Sequence, residues 1–259
     1  GARTNREAAQ SAMCAAITGV TPEYGLLLEQ NRAGDVLIQV EADVDSEYDY
    51  ELLGYITPKK MGQAYHCPVF NGLSKQTTSE QLMDLGTQLN IHGIVPMFHV
   101  VGVTPEAADV HTAFLGRKDP PVVTITNEDL AQARAEISAG TGKADFCILG
   151  CPHLTINQVG SIAKMLDGQQ LAGQLYIFTS TSTKELAQRM GYLDIIHKAG
   201  GEIVINSCVD QPCWSHLYGM SGVTESPKCA YYTKRWNMTF TVKSIPACIQ
   251  SVLKGEIVS

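Results

Sequence analysis

The chain has 259 residues, 44% of them apolar, with 19 basic against 26 acidic side chains and a formal charge of −7. That much apolar material fills one large or two ordinary domains and excludes general disorder. The acidic balance, with no Lys/Arg-rich run, argues against a nucleic-acid partner, and no stretch approaches the roughly 20 apolar residues of a membrane span.

The opening GARTNREAAQ lacks the apolar run of a signal peptide, so a soluble, cytoplasmic protein is expected. Gly1 stands where a start methionine would, which suggests a piece of something longer. Thr4-Asn5-Arg6-Glu7 has the spacing of a capping box, predicting a helix through the Ala-rich run from Ala8 to Ile17 that stops at Gly19. Arg3, Asn5 and Arg6 then gather at a helix N-terminus.

Val36 to Val40 predicts a strand, Ser46 to about Lys60 a helix, and Pro68 to Gly72 a loop. From Ser79 onward, β-branched runs at Ile94 to Val101, Val122 to Thr126, Phe146 to Leu149, Leu175 to Phe178 and Ile203 to Ile205 alternate with helix-period segments. This is the pattern of parallel α/β units. Helix starts are expected at Thr104-Pro105-Glu106, Asn127-Glu128-Asp129, Thr155 and Ser182, and stops at Gly140, Gly168 and Gly200-Gly201. Beyond Cys208 come a Pro/Gly/Ser-rich loop, a short helix near Lys228, a strand near Met238 to Val242 and a last helix from Pro246. Residues 1–75 are assigned to part of a first α/β unit and 76–259 to a catalytic α/β/α unit.

Ligands of open parallel sheets bind beyond the carboxyl ends of the strands. The loops there carry Gly102 to Glu106, Asn127, Gly150-Cys151-Pro152-His153, Thr179 to Ser182 and Asn206-Ser207-Cys208. Cys151 and Cys208 each follow a strand directly, where a thiolate can face a cleft and ligate iron or zinc. The other cysteines, among them Cys14, Cys67, Cys147, Cys229 and Cys248, read as small core residues. Cys147 and Cys213 add C-x3-C and C-x4-C spacings to Cys151 and Cys208, but Cys147 falls within a strand, which argues against a four-thiolate zinc site. His99 and His153 are candidate proton carriers, Glu106 a candidate acid or base, and Lys228 with Arg3 and Arg6 candidate anion ligands. Gly142-Lys143 lacks the glycines of a phosphate loop, and neither GxSxG nor GxGxxG occurs.

Five segments in order, GARTNRE, TPEYGLLLEQNR, MFHVVGVTPEA, LGCPH and ESPKCAYYTK, resemble the catalytic domain of the aconitase X family across nearly the whole chain. The resemblance implies an aconitase-like three-layer α/β/α fold with mainly parallel sheets, an iron–sulfur cluster, and a small swivelling domain or subunit as partner. It implies a hydro-lyase that dehydrates a small hydroxy acid: cis-3-hydroxy-L-proline, or alternatively mevalonate 5-phosphate. Carried over, Cys151 and Cys208 become two cluster ligands, the third being expected outside this chain in a threonine-cysteine-threonine-proline motif. Arg3, Asn5, Arg6, Ser226 and Lys228 become substrate anchors, and His99, Glu106 and His153 candidates for proton transfer. Ala8-Ala9 in place of a glycine pair, Asn206 in place of Asp and Tyr231 in place of His depart from the family pattern. They keep open a different class, a catalytically inactive metabolite-binding or regulatory subunit.

Overall fold

The computed structural model describes residues 3–62, 64–138 and 140–258. Gly1 and Ala2 of the GARTNRE segment lie outside the described residues. The chain forms two compact units that interleave along the sequence: Gly1–Asp43, Thr57–Thr77 and His92–Asn127 in the first, Val44–Ile56, Thr78–Ile91 and Glu128–Ser259 in the second. A division at residue 75 does not describe this arrangement, because two helical excursions from the N-terminal half belong to the second unit.

The first unit opens with α1 (Ala9–Thr18), ended by Gly19 in the left-handed conformation (φ 73°). Its N-cap is Ala8, not Thr4; Ser11 Oγ accepts from the Ala8 amide at 3.2 Å, while Thr4 bonds its neighbour's carbonyl. The sheet contains β1 (Val36–Val40), β2 (Pro68–Asn71), β3 (His99–Val100) and β4 (Val122–Ile125), ordered β3-β2-β1-β4 and parallel throughout. The expected loop at Pro68 is therefore a buried strand. Proline is tolerated at its first residue, and Gly72 (φ 108°) turns the chain just beyond its end. Only His99 and Val100 of the run from Ile94 pair, since Pro96 interrupts it. No helix starts at Thr104; the segment is a turn, and the short α4 (Val110–Ala113) is capped by Asp109.

In the second unit, α2 (Glu47–Met61, whose last residues belong to the first unit) and α3 (Ser79–Gln88) precede α5 (Asn127–Ile137) and a five-stranded sheet. Its strands are β5 (Phe146–Leu149), β6 (Gln174–Thr179), β7 (Gly201–Ile205), β8 (Ser221–Thr224) and β9 (Thr239–Val242), all parallel in the order β7-β6-β5-β8-β9. The helices α6 (Ile156–Leu166), α7 (Thr181–Arg189), α8 (Tyr192–Ala199) and α10 (Ile245–Lys254) cover one face through Val159, Ile162, Ala187, Ile196 and Ile249. The other face packs Phe146, Ile148 and Phe178 against Trp214, Leu217 and Cys229, the last on α9 (Pro227–Thr233). The unit is thus α/β/α. Thr155 caps α6 as expected; α7 begins at Ser180 rather than Ser182. Strand β8 was not foreseen: its glycine is forced by Phe146, whose ring a Cβ on Gly222 would meet at 2.5 Å. No helix among the described residues is long and apolar enough to cross a membrane.

Candidate active site

The strand order of the second unit positions its chemistry. The chain steps outward from β5 to β6 and β7, then returns to place β8 on the other side of β5. Loops leaving β5 and β8 therefore diverge, opening a crevice at the carboxyl edge, where such sheets bind ligands. Gly150-Cys151-Pro152-His153 follows β5, and Glu225-Ser226-Pro227-Lys228 follows β8.

Gly150 (φ 117°) turns where a Cβ would lie 2.3 Å from the Phe178 carbonyl oxygen, so only glycine fits. The Cys151-Pro152 peptide is cis. Glu225, 4% exposed, anchors the turn: its Oε1 accepts from the amides of Gly150 at 2.6 Å and Cys151 at 3.1 Å, and its Oε2 accepts from the Thr224 hydroxyl at 3.3 Å. Burial pushes the Glu225 carboxyl up, against the lowering effect of those amides. Sequence reasoning passed over this residue, because a glutamate beside Ser-Pro-Lys looks like an exposed acid at a helix start.

Cys151 is half-buried. Burial pushes its thiol to about 11; a hydrogen bond from Ser226 and the Lys228 charge oppose this, while Glu225 and Cys208 add to it. The predicted anchors Ser226 and Lys228 thus both act on Cys151, the first by a hydrogen bond and the second by its charge. Both are set by Gln88, which donates to Ser226 Oγ at 3.3 Å and accepts from the Lys228 amide at 2.9 Å. Ser226 Oγ also caps α9 through the Cys229 amide.

Cys208 is exposed; the Asp210 amide points at its sulfur at 3.4 Å and the Trp214 indole donates to its carbonyl at 3.0 Å. His153, exposed, has Nε2 3.2 Å from the Ser207 carbonyl oxygen. His153, Asn206 and Cys208 line one open pocket of about 510 Å³. Asn206 is left-handed (φ 54°), and its Oδ1 accepts from Thr181 at 3.3 Å.

An iron–sulfur cluster calls for cysteine thiolates. Two soft sulfur donors follow β5 and β7 at the carboxyl edge of one sheet, and a lysine follows β8, a donor set whose chemistry suits thiolate ligation of iron. Among the described residues, no group of three His, Cys, Asp or Glu forms a metal site. A four-thiolate zinc site is ruled out by position: Cys147 packs with Cys248 on the opposite face of the sheet from Cys151. Cys67, Cys229 and Cys248 are buried as expected, whereas Cys14 is exposed.

The remaining predicted residues lie in the first unit, around a residue that was not singled out, Arg32. Its Nε reaches Glu106 Oε2 at 2.7 Å and Oε1 at 3.0 Å, and its Nη1 donates to the Leu26 carbonyl at 2.8 Å. Arg3 Nε lies 3.4 Å from Glu106 Oε1. Burial acts to raise the Glu106 carboxyl, but the hydrogen bond and charge of Arg32, then Arg3 and His99, outweigh it and hold it below the usual range. His99, 3% exposed, has Nε2 2.8 Å from the Arg32 carbonyl oxygen. Asn5 spends its amide on a clasp: Oδ1 accepts from the Leu26 amide at 2.6 Å and Nδ2 donates to the Tyr24 carbonyl at 3.1 Å. A Cβ on Gly25 would lie 2.4 Å from that Oδ1. Arg6 is exposed.

Family models for the aconitase X second and third domains match residues 34–135 and 144–254. This chain belongs to the aconitase X family. It is 37% identical over 90% of its length to a phosphomevalonate dehydratase large subunit of Methanothermobacter thermautotrophicus, covering 56% of that protein. To a cis-3-hydroxy-L-proline dehydratase of Pseudomonas aeruginosa it is 34% identical over 82% of its length, covering 38% of that protein. It superposes on a crystal structure of Thermococcus kodakaraensis aconitase X in its holo-form with a TM-score of 0.84 and 32% identity, over 97% of this chain and 64% of that one. The chain thus spans less than two thirds of the length of these aconitase X relatives.

Proposed function

We propose that the chain is part of an aconitase X hydro-lyase, removing water from a small hydroxy acid. The observation that carries this is the joining of the loops after β5 and β8 at their switch point, where Glu225, next to Ser226 and Lys228, accepts from the amides of Gly150 and Cys151. Cys151 and Cys208 would hold an iron–sulfur cluster completed by a cysteine from outside the chain; when bound, it supplies a Lewis acid for the departing hydroxyl.

The chain's own groups do the rest. Lys228 offers a cation for the substrate's carboxylate or phosphate, at a loop that Gln88 fixes from α3. Ser226, fully buried, holds the Cys151 thiol with its hydroxyl and caps the helix that carries Lys228. His153, at the mouth of the pocket it shares with Cys208, carries the proton. In the first unit, Arg3 and Arg6 offer further cations, and Glu106, ionised and held by Arg32, orients Arg3 rather than shuttling protons.

Relatives named for phosphomevalonate and for cis-3-hydroxy-L-proline support the two substrates equally, so both belong to the proposal. The small swivelling subunit is proposed as partner because several relatives are named large subunits. A cytoplasmic setting fits eight cysteines, all free. The test is anaerobic iron reconstitution of the full-length protein with its small subunit, followed by dehydration assays on both substrates. Turnover of one, lost on Cys151→Ser, is expected. An iron-free protein that turns over neither substrate would establish the non-catalytic subunit instead.

A further inference from the structure

Most cysteines of the second unit are withdrawn from solvent: Cys147, Cys229 and Cys248 are buried and Cys151 is half-buried. Cys208 and Cys213 are both exposed, and both line the open pocket of about 510 Å³ beyond β7. The ligand role argued for Cys208 makes no use of Cys213.

The loop that separates the two thiols is folded back on itself. The indole of Trp214, the residue after Cys213, donates to the Cys208 carbonyl at 3.0 Å, and the Trp214 amide donates to the Gln211 carbonyl at 3.4 Å. Between the cysteines, the Asp210 carboxylate is fixed from outside, accepting from Arg235 Nε at 3.0 Å and from Trp236 Nε1 at 2.8 Å. The Asp210 amide donates to the Cys208 sulfur at 3.4 Å. The backbone is thus already curled, so a bond between the two sulfurs closes a short ring whose ordering the fold has largely completed.

An exposed thiol that meets peroxide passes through a sulfenic acid to an irreversible sulfinic acid unless a second thiol condenses with it first. We propose that Cys208 and Cys213 form a peroxide-responsive pair, in which Cys213 resolves oxidised Cys208 as a disulfide. The Cys208 thiolate attacks one peroxide oxygen and the O–O bond breaks; a sulfenic acid forms, and the departing hydroxide takes up the proton that Cys208 lost. The Cys213 thiolate then attacks the sulfenic sulfur. The S–S bond forms as S–O breaks, and the hydroxide released takes up the proton from Cys213. Two thiols are oxidised and one peroxide is reduced to two waters. On the reading of Cys208 as a cluster ligand, on which this consequence rests, the disulfide removes that sulfur from the ligand set until a thiol reductant restores it.

The test treats the full-length, iron-free protein with hydrogen peroxide, alkylates the remaining thiols and weighs tryptic fragment 199–228, which carries Cys208 and Cys213 and no other cysteine. The fragment is expected unalkylated and lighter than its dithiol form by two hydrogens, and dithiothreitol should reverse the change. In Cys213→Ser the same treatment should leave Cys208 carrying two oxygens that dithiothreitol does not remove. Iron reconstitution is the second readout: the disulfide form should lose iron uptake and regain it on reduction, while untreated Cys213→Ser takes up iron as the wild type does. Two free thiols after peroxide, Cys208 joined to a different cysteine, or oxygens left on Cys208 in the wild type would overturn the pair. A disulfide that leaves iron uptake unchanged overturns its link to the ligand set. If the untreated protein takes up no iron, the ligand reading fails and that link with it, whereas the pair itself still stands or falls on the fragment mass.

Discussion

Two sets of polar groups, one around Arg32 in the first unit and one around Cys151 and the acids of the second, differ in how far they satisfy one another. In the first, Arg32, Arg3, His99 and Glu106 saturate one another, and Asn5 spends both ends of its amide on the backbone of residues 24–26. In the second, Cys151 is a half-buried thiol whose rise the Lys228 charge opposes, and the buried carboxyls of Glu51 and Asp84 are pushed up by burial and by the acids around them. Saturated polar groups hold a shape; uncommitted ones are free to meet a ligand. The contrast teaches that a list of polar residues at strand ends mixes the two kinds, and that only their partners separate them.

The largest expected effect lies on the uncommitted side. Cys151→Ser in the full-length protein should lower both iron content and dehydration rate by more than the roughly 10–100-fold typical of residues that only support a metal ligand. Iron analysis alongside a rate assay checks this, and an iron-replete variant would break the comparison. Gly150→Ala should cost about 2–4 kcal/mol, because its Cβ collides with backbone at a left-handed position; urea unfolding measures it. Glu225→Leu should cost about 1–3 kcal/mol for each amide it strands, and Glu225→Gln far less, since an amide oxygen still accepts.

On the saturated side, Arg32→Met should cost about 1–2 kcal/mol, modest because Glu106 is about a third exposed. It should also change the acid limb. The Glu106 carboxyl is held below its unfolded value, so its contribution is present above that value and is lost as pH falls through the folded one. Unfolding midpoints between about pH 5 and pH 3 should therefore fall less steeply in Arg32→Met than in the wild type. The smallest effect expected is Asn5→Ala, about 1 kcal/mol with little change in iron content; a large iron loss would move Asn5 to the other side of the comparison.

Strands buried on both faces were legible, since Val36 to Val40 and Phe146 to Leu149 are short β-branched or apolar runs between turn residues, and both form as read. Pro68 and Gly222 hid β2 and β8, for each is forced by a neighbour distant in sequence or allowed by a place at a strand end. Cys151, Ser226 and Lys228 could be picked from the sequence because their loops carry chemistry-bearing types. That they converge depends on strand order, which a periodicity does not encode. Arg32, Glu225, Glu51 and Asp84 escaped for a related reason: a charged residue in a helix or turn looks solvated until the tertiary partner that buries it is known.

Gln88 carries a practical consequence for anyone dividing this chain. The obvious cut, just before the third-domain match at residue 144, keeps the five-stranded sheet intact. It would discard the single side chain that clamps both Ser226 and the Lys228 amide, together with Glu51 and Asp84. A fragment chosen by sequence order alone would keep the scaffold and leave its fittings behind; because the two units interleave, no single cut separates them, and one at residue 44 would strip β1 from between β2 and β4.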